Sequence, residues 1–395
     1  MLKRFFCSST ILVCLCSCKY KVPETYGWND YSFLPIISME KDSLDISESD
    51  SFFIKTEFNE VMNSLVGHFF LKQDTLCFAD EGTGSIIAYD ISGKYIRTVV
   101  SKGRSKNEIF GLAAASIDES ENILALDGSW GFNLFNKDWR KIAYRNINFN
   151  LSNRSFKEVY KHPNPLLMDI YSIAYDWTSV KVFDNRYAIF PINTEHEKYN
   201  AYQGVNVEHY YKNARIFGIC DLMGRTMDMF GTYSPWYYER CITNFNDVQF
   251  DVNGNNLYYS FGADSIIYVM DIPTRKIVLG FGKAGKDMRQ DYIRYDSFDQ
   301  TEKNYFADRT KYGYYGNIRY EPETNRLYRV YYQGNDSGHE FVQVYENYIL
   351  MGEIKVPKGT YYVGYLNGWT YFASDIADYD KDRFLLYRYK FGKTN

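Results

Sequence analysis

The sequence predicts an all-β fold, and three observations carry the prediction. Aromatic residues make up 18% of the 395-residue chain, with 39 Tyr and 28 Phe, and such side chains suit pleated, half-buried strands better than helices. From about residue 65 onward, short runs rich in Tyr, Phe, Ile and Val alternate with Asp, Asn and Gly turns, and helical periodicity is scarce. The third observation is self-similarity. An acidic turn feeds a strand in Asp118–Asn122 before Ile123–Leu126, in Asp251–Gly254 before Leu257–Tyr259, and in Glu321–Asn325 before Leu327–Val330. A second turn recurs downstream as Asp90–Gly93, Asn136–Asp138, Asp221–Gly224 and Asp271–Thr274. Asp or Asn at the first position caps such a turn, and Gly supplies positive φ where it is needed.

Superposing the two turns gives a unit of four strands, and six copies follow one another at about 65–100, 113–146, 179–231, 246–281, 316–356 and 360–391. Repeats of four antiparallel strands predict a six-bladed β-propeller, in which each blade covers its neighbour's apolar face. A pair of β-sandwiches or a β-helix is also rich in short strands, yet neither predicts a four-strand period with two turn types. The copies average about 63 residues, longer than compact propeller repeats of ~40 to 50, so the excess belongs in loops. The sixth copy stops after its third strand, Phe384–Tyr389. Its fourth strand is expected from the N-terminal side, where Tyr31–Ile37 and Ser51–Thr56 are both strand-like.

The first residues carry an address. Lys3 and Arg4 precede an apolar run over Phe5–Leu15, too short to span a bilayer, which reads as an export signal. The run ends in Leu15-Cys16-Ser17-Cys18, which resembles the lipobox of bacterial lipoproteins. That resemblance implies a signal peptide over 1–17 and lipidation at Cys18; an ordinary cleaved secretory signal is the alternative. Residues 18–30 then form a lipidated tether, and 31–395 form a single propeller domain. After cleavage Cys18, Cys77, Cys220 and Cys241 remain, so with Cys18 acylated one disulfide is the maximum. The chain has 45 basic and 49 acidic residues, net −4. It lacks the basic footprint of a nucleic-acid binder, and nucleic acid is not an expected partner.

An exported lipobox, a short tether and six blades with the ending Ala88-Tyr-Asp-Ile-Ser-Gly-Lys94 resemble the six-bladed TolB-like or NHL-like propeller lipoproteins of Bacteroidetes, mostly of unassigned function. The resemblance implies the fold and an envelope address, with the outer membrane expected and the leaflet open. It carries over no catalytic residue.

No catalytic set, metal site or cofactor motif is expected. His68, His162, His196, His209 and His339 make no pair at ligating spacing, and HExxH, CxxC and GxSxG are absent. His68 falls in an inner strand, where a hydrogen-bonded imidazole is the expectation. Asp378, Asp380 and Asp382 alternate as in a calcium loop, but Arg383 stands where Gly is needed. Gly280–Gly285 is a weak phosphate-loop echo that follows an outer strand and does not lead into a helix.

The insertions, at about 145–178, 193–213, 231–246, 281–315 and 333–339, hold the candidate ligand residues Trp177, Trp236, Tyr237, Tyr238, Tyr312, Tyr314 and Tyr315. Exposed rings could stack on sugars or grip a peptide; alternatively they pack the loops onto the blades. The expectation is a lipid-anchored, non-enzymatic binding module of the cell envelope for a glycan, peptide or protein partner, held to the bilayer through Cys18. A glycan- or peptide-processing hydrolase or lyase working in the central funnel, and a structural scaffold, are the rivals. A funnel holding two carboxylates, or a His beside a carboxylate, within reach of one reacting atom would favour the enzyme.

Overall fold

A computed structural model describes residues 31, 34–55, 63–174, 179–194, 196–202, 207–240, 242–378, 381 and 383–392. Strand composition sets the layering. Strands in the middle of a blade are covered on both faces and read as continuous apolar runs, as in Thr75–Asp80 and Ile123–Leu126; the outer strand Lys141–Asn146 alternates between half-buried and exposed residues. Turn chemistry sets the register. The Asp90 carboxylate accepts from the Ser92 and Lys94 N–H groups at 2.9 and 3.0 Å, and Asp118 from those of Ser120 and Asn122, both at 2.8 Å.

Six antiparallel sheets result. The first blade is Gly67–Lys72, Thr75–Asp80, Ser85–Asp90 and Tyr95–Val100; the second is Ala114–Ile117, Ile123–Leu126, Gly131–Phe135 and Lys141–Asn146. The third comprises Lys181–Phe183, Tyr187–Thr194, Phe217–Asp221 and Met227–Phe230, with Tyr171–Ile173 added at the far end of its second strand. The fourth is Val248–Asn253, Asn256–Phe261, Ile267–Asp271 and Lys276–Phe281, and the fifth Tyr312–Glu321, Arg326–Gly334, His339–Glu346 and Ile349–Pro357. In the sixth, Thr360–Leu366, Trp369–Ser374 and Arg383–Phe391 are joined by Ile46–Lys55, which pairs antiparallel with Arg383–Phe391. Of the two N-terminal segments expected to complete this blade, the second does so. The first strand of every blade touches that of the next, and the sixth touches the first, so the blades form a ring: a six-bladed β-propeller.

The N-terminal segment does more than complete a blade. Ile36–Ile37 lies parallel to the outer strand of the fourth blade, Glu40 bridges to Leu350 on the outer strand of the fifth, and Ile46–Lys55 follows on the sixth. It thereby covers edge positions on three successive blades. The core lies between blades. Ile54, Phe69, Phe78 and Phe384 pack where the last blade meets the first, and the largest cluster joins blades two, three and four to the insertions above them. Cys77 and Cys220 are buried free thiols, each pushed up to about 12 by burial, while Cys241 lies outside the described residues.

Because successive strands alternate in direction, connections between blades and between second and third strands leave at one end of the ring. Every long insertion is of these two kinds, so all of them decorate that end. The short turns between first and second strands surround the axis at the other.

Candidate functional site

The innermost strand of each blade turns its unpaired edge to the axis, and the six edges enclose a cavity of about 800 Å3. That volume lies within the range of small-ligand sites. Its wall is polar. Lys181 of the third blade, Asp251 of the fourth and Arg319 of the fifth form one ionic chain: Asp251 Oδ1 accepts from Lys181 Nζ at 2.8 Å and from Arg319 Nη1 at 3.2 Å, and Oδ2 from the Tyr320 N–H at 2.9 Å. Burial pushes the Asp251 carboxyl up and the Arg319 guanidinium down to about 10; the three donors around Asp251 favour the charged form. Next to it the Tyr362 hydroxyl donates to Glu321 Oε2, and the Glu323 N–H donates to Oε1 at 2.9 Å. Burial raises the Glu321 carboxyl.

The mouth at the short-turn end is acidic, with Asp118, Glu119, Glu121, Asp184 and Glu323 around it. Glu119 Oε1 accepts the Gly254 N–H at 3.2 Å, linking the second blade to the fourth. Glu121 accepts from Lys72 Nζ at 3.3 Å and from Gln73 Nε2 at 2.7 Å.

General acid–base work needs a group free to exchange a proton with a substrate. His68 Nε2 donates to the Ala115 carbonyl at 2.8 Å, and Nδ1 lies 3.6 Å from Glu81. A His with an adjacent carboxylate is therefore present, but both ring nitrogens face partners within the fold. Asp251 and Glu321 are likewise engaged through both oxygens. The channel can hold a ligand through aromatic surface, backbone edges and charge, and its principal ionisable groups are tied to one another.

The predicted aromatic residues sit elsewhere. Tyr237 and Tyr238 are buried under the insertions: the Tyr237 hydroxyl donates to the Phe245 carbonyl at 2.6 Å and accepts the Ala263 N–H at 3.0 Å, and the Tyr238 hydroxyl donates to the Tyr233 carbonyl at 3.0 Å. Tyr312 is buried and takes a hydrogen bond from Lys311 Nζ at 2.7 Å. Tyr315 is buried beneath the Arg329 guanidinium, 3.9 Å from its ring centre, and accepts the Gly285 N–H at 3.1 Å. Tyr314 is half-buried with Arg309 at 4.3 Å, and Trp236 half-buried with Arg240 stacked at 3.6 Å. Trp177 lies outside the described residues, as does Cys18. Tyr237, Tyr238, Tyr312 and Tyr315 thus offer no open face to a ligand. They pack the insertions onto the blades, because an aromatic body with one polar tip is stable where carbonyls border an apolar core.

The weaker motifs are absorbed by the fold. His196 Nε2 bonds the Val159 carbonyl at 3.1 Å and Nδ1 accepts the Lys198 N–H at 3.1 Å. Asp378 pairs with Arg383 at 2.9 Å, while Asp380 and Asp382 lie outside the described residues. In the Gly280–Gly285 loop the Lys283 and Gly285 N–H groups donate to Tyr345 and Tyr315, so no phosphate cradle forms. Among the described residues no group of three His, Cys, Asp or Glu side chains could hold a metal ion.

The residues missed from sequence are Lys181, Asp251, Arg319 and Glu321. Lys181, Asp251 and Arg319 carry a signal as charges beside apolar neighbours in first strands, whereas Glu321 closes its strand and opens the expected acidic turn. Asp251 in particular opens the turn expected from sequence, but it lies within the strand Val248–Asn253, and Gly254-Asn255 makes the turn.

No known family profile matches the chain, and no curated protein matches it. Among solved structures, a member of the DUF4221 family from Bacteroides vulgatus is similar, with a TM-score of 0.65 and 12% identity over 90% of this chain and 100% of that one. A structure described as a "Putative exported protein" from Bacteroides fragilis is similar with a TM-score of 0.54 and 14% identity, over 91% and 99% of the two chains. At these identities the likeness is one of fold, and it agrees with the propellers of Bacteroidetes that the sequence resembles.

Proposed function

We propose that this protein is a lipid-anchored binding module of the bacterial cell envelope, whose channel receives part of a glycan or peptide without transforming it. The observation that carries this reading is the open channel of about 800 Å3 in which His68, Asp251 and Glu321 are already engaged in hydrogen bonds and ion pairs. A site of that kind is preorganised for recognition and short of a proton-transfer group. The envelope address is supported by the lipobox-like Leu15–Cys18 and by the description of one similar propeller as exported.

The test is thermal unfolding of the full chain with a panel of envelope glycans and peptides, alongside Tyr362→Phe. A ligand that binds the folded state at 100 times its Kd adds about 3 kcal/mol of stability. The expected result is a raised midpoint for one ligand class, with a smaller increment in Tyr362→Phe relative to its own unliganded midpoint. Raised midpoints of equal increment in both proteins would place binding outside the channel.

A further inference from the structure

We propose that the decorated end of the ring is a membrane-docking surface, resting on the lipid-anchor reading above and adding to it an orientation for the whole protein. Large apolar side chains are exposed unevenly. Phe110, Phe156, Leu166, Ile293, Phe306 and Ile376 stand out from four connections, all of the two kinds that leave the ring at the decorated end. Phe156 is 85% exposed and Phe306 82%. In the blade turns of the opposite end Met223 is so exposed, and Met39 of the N-terminal segment, whose carbonyl accepts the Leu350 N–H, is exposed there too.

These side chains come from four connections spread around the ring, which suits a planar, deformable apolar phase better than a shaped protein groove. Exposed lysines flank them, Lys157 and Lys161 beside Phe156 and Lys303 beside Phe306. Such side chains can reach lipid phosphates while the rings enter the headgroup boundary.

The place where the chain joins the ring selects the occupant. Tyr31 is fixed at the decorated end: its hydroxyl donates to the Thr232 carbonyl at 2.7 Å, in the connection after strand Met227–Phe230, and its ring packs edge-on against Tyr268 at 5.1 Å. Only the twelve residues Lys19–Asp30 separate it from Cys18, and a chain of that length spans at most roughly 40 Å. An acylated Cys18 would hold this face close to lipid, so that insertion of a few rings becomes an intramolecular event at high effective concentration. The acidic channel mouth then faces away from the bilayer, open to a ligand.

The experiment uses the full, acylated chain on vesicles of phosphatidylethanolamine and phosphatidylglycerol, with Phe156→Trp, Phe306→Trp or Met223→Trp. Flotation reports anchoring, and brominated lipid reports insertion as loss of the added tryptophan's emission over wild type. The result expected is flotation of all three proteins, with emission lost for Phe156→Trp and Phe306→Trp and unchanged for Met223→Trp. Flotation with no loss at the decorated end overturns docking and reserves that face for a protein partner. Failure to float overturns the anchor, and docking with it.

Discussion

Asp251 shows what a single carboxylate does in this ring. Exchanging it for Asn would leave Lys181 and Arg319 facing a neutral amide inside the channel wall, and removing one member of a buried ionic group costs about 3 kcal/mol or more. Asp251→Asn is expected to lower the unfolding free energy by that amount in urea titration, whereas Asp184→Asn, on the exposed rim, should change it by less than about 0.5 kcal/mol. Glu340 supplies a pH signature. It is buried between blades five and six, accepts the Thr360 N–H at 3.0 Å, and is pushed up by burial from 4.5 to about 7, with Asp375 adding to the rise and Lys358 opposing it. The fold favours the protonated form, so this stabilisation is full below 4.5 and lost as pH rises to about 7. Wild type should therefore gain on Glu340→Gln by roughly 3 kcal/mol as pH is lowered through that window, read from urea midpoints.

At the scale of the element, the closing strand Ile46–Lys55 decides how the two ends of the chain cooperate. Ile54 is fully buried at the junction of the sixth and first blades, and the Gly93 turn rests against it; φ there is +88°, and a Cβ would come within 2.9 Å of Ile54. Ile54→Ala should cost about 3 kcal/mol through lost contacts and an unfilled cavity, measured by equilibrium unfolding. A two-state loss would show that the strand unfolds with the ring, and a separate early transition would show that it does not. This strand was legible because the sixth repeat visibly lacks a partner, as were the turns, whose capping residues act on their own backbone. Asp251 was not: its partners come from the blades on either side, and a charge within one strand does not announce which neighbour will meet it. The same holds for the aromatic insertions. Tyr237 and Tyr238 have the composition of a binding platform, and only tertiary packing shows their rings covered.

The whole molecule has two unlike ends, one with long aromatic-packed insertions and exposed apolar tips, the other with short turns and an acidic mouth. This polarity follows from strand direction, which sends every long connection of the six repeats to the same side. Sequence gave the number of blades and the positions of the insertions, but the convergence of inner strands from residues 68 to 366 on one channel appears only once the ring is closed. Between the ends lies a wall in which Lys181, Asp251 and Arg319 pair with one another and Glu321 bonds Tyr362, and on it rests the proposal that the protein binds its ligand without transforming it. The most direct measurement is recovery: incubate the full chain with the ligand class that raises its midpoint, release the bound material and weigh it by mass spectrometry. Ligand recovered at unchanged mass, stoichiometric with protein, is the predicted result; cleaved or eliminated product accumulating beyond one equivalent would contradict it and identify an enzyme.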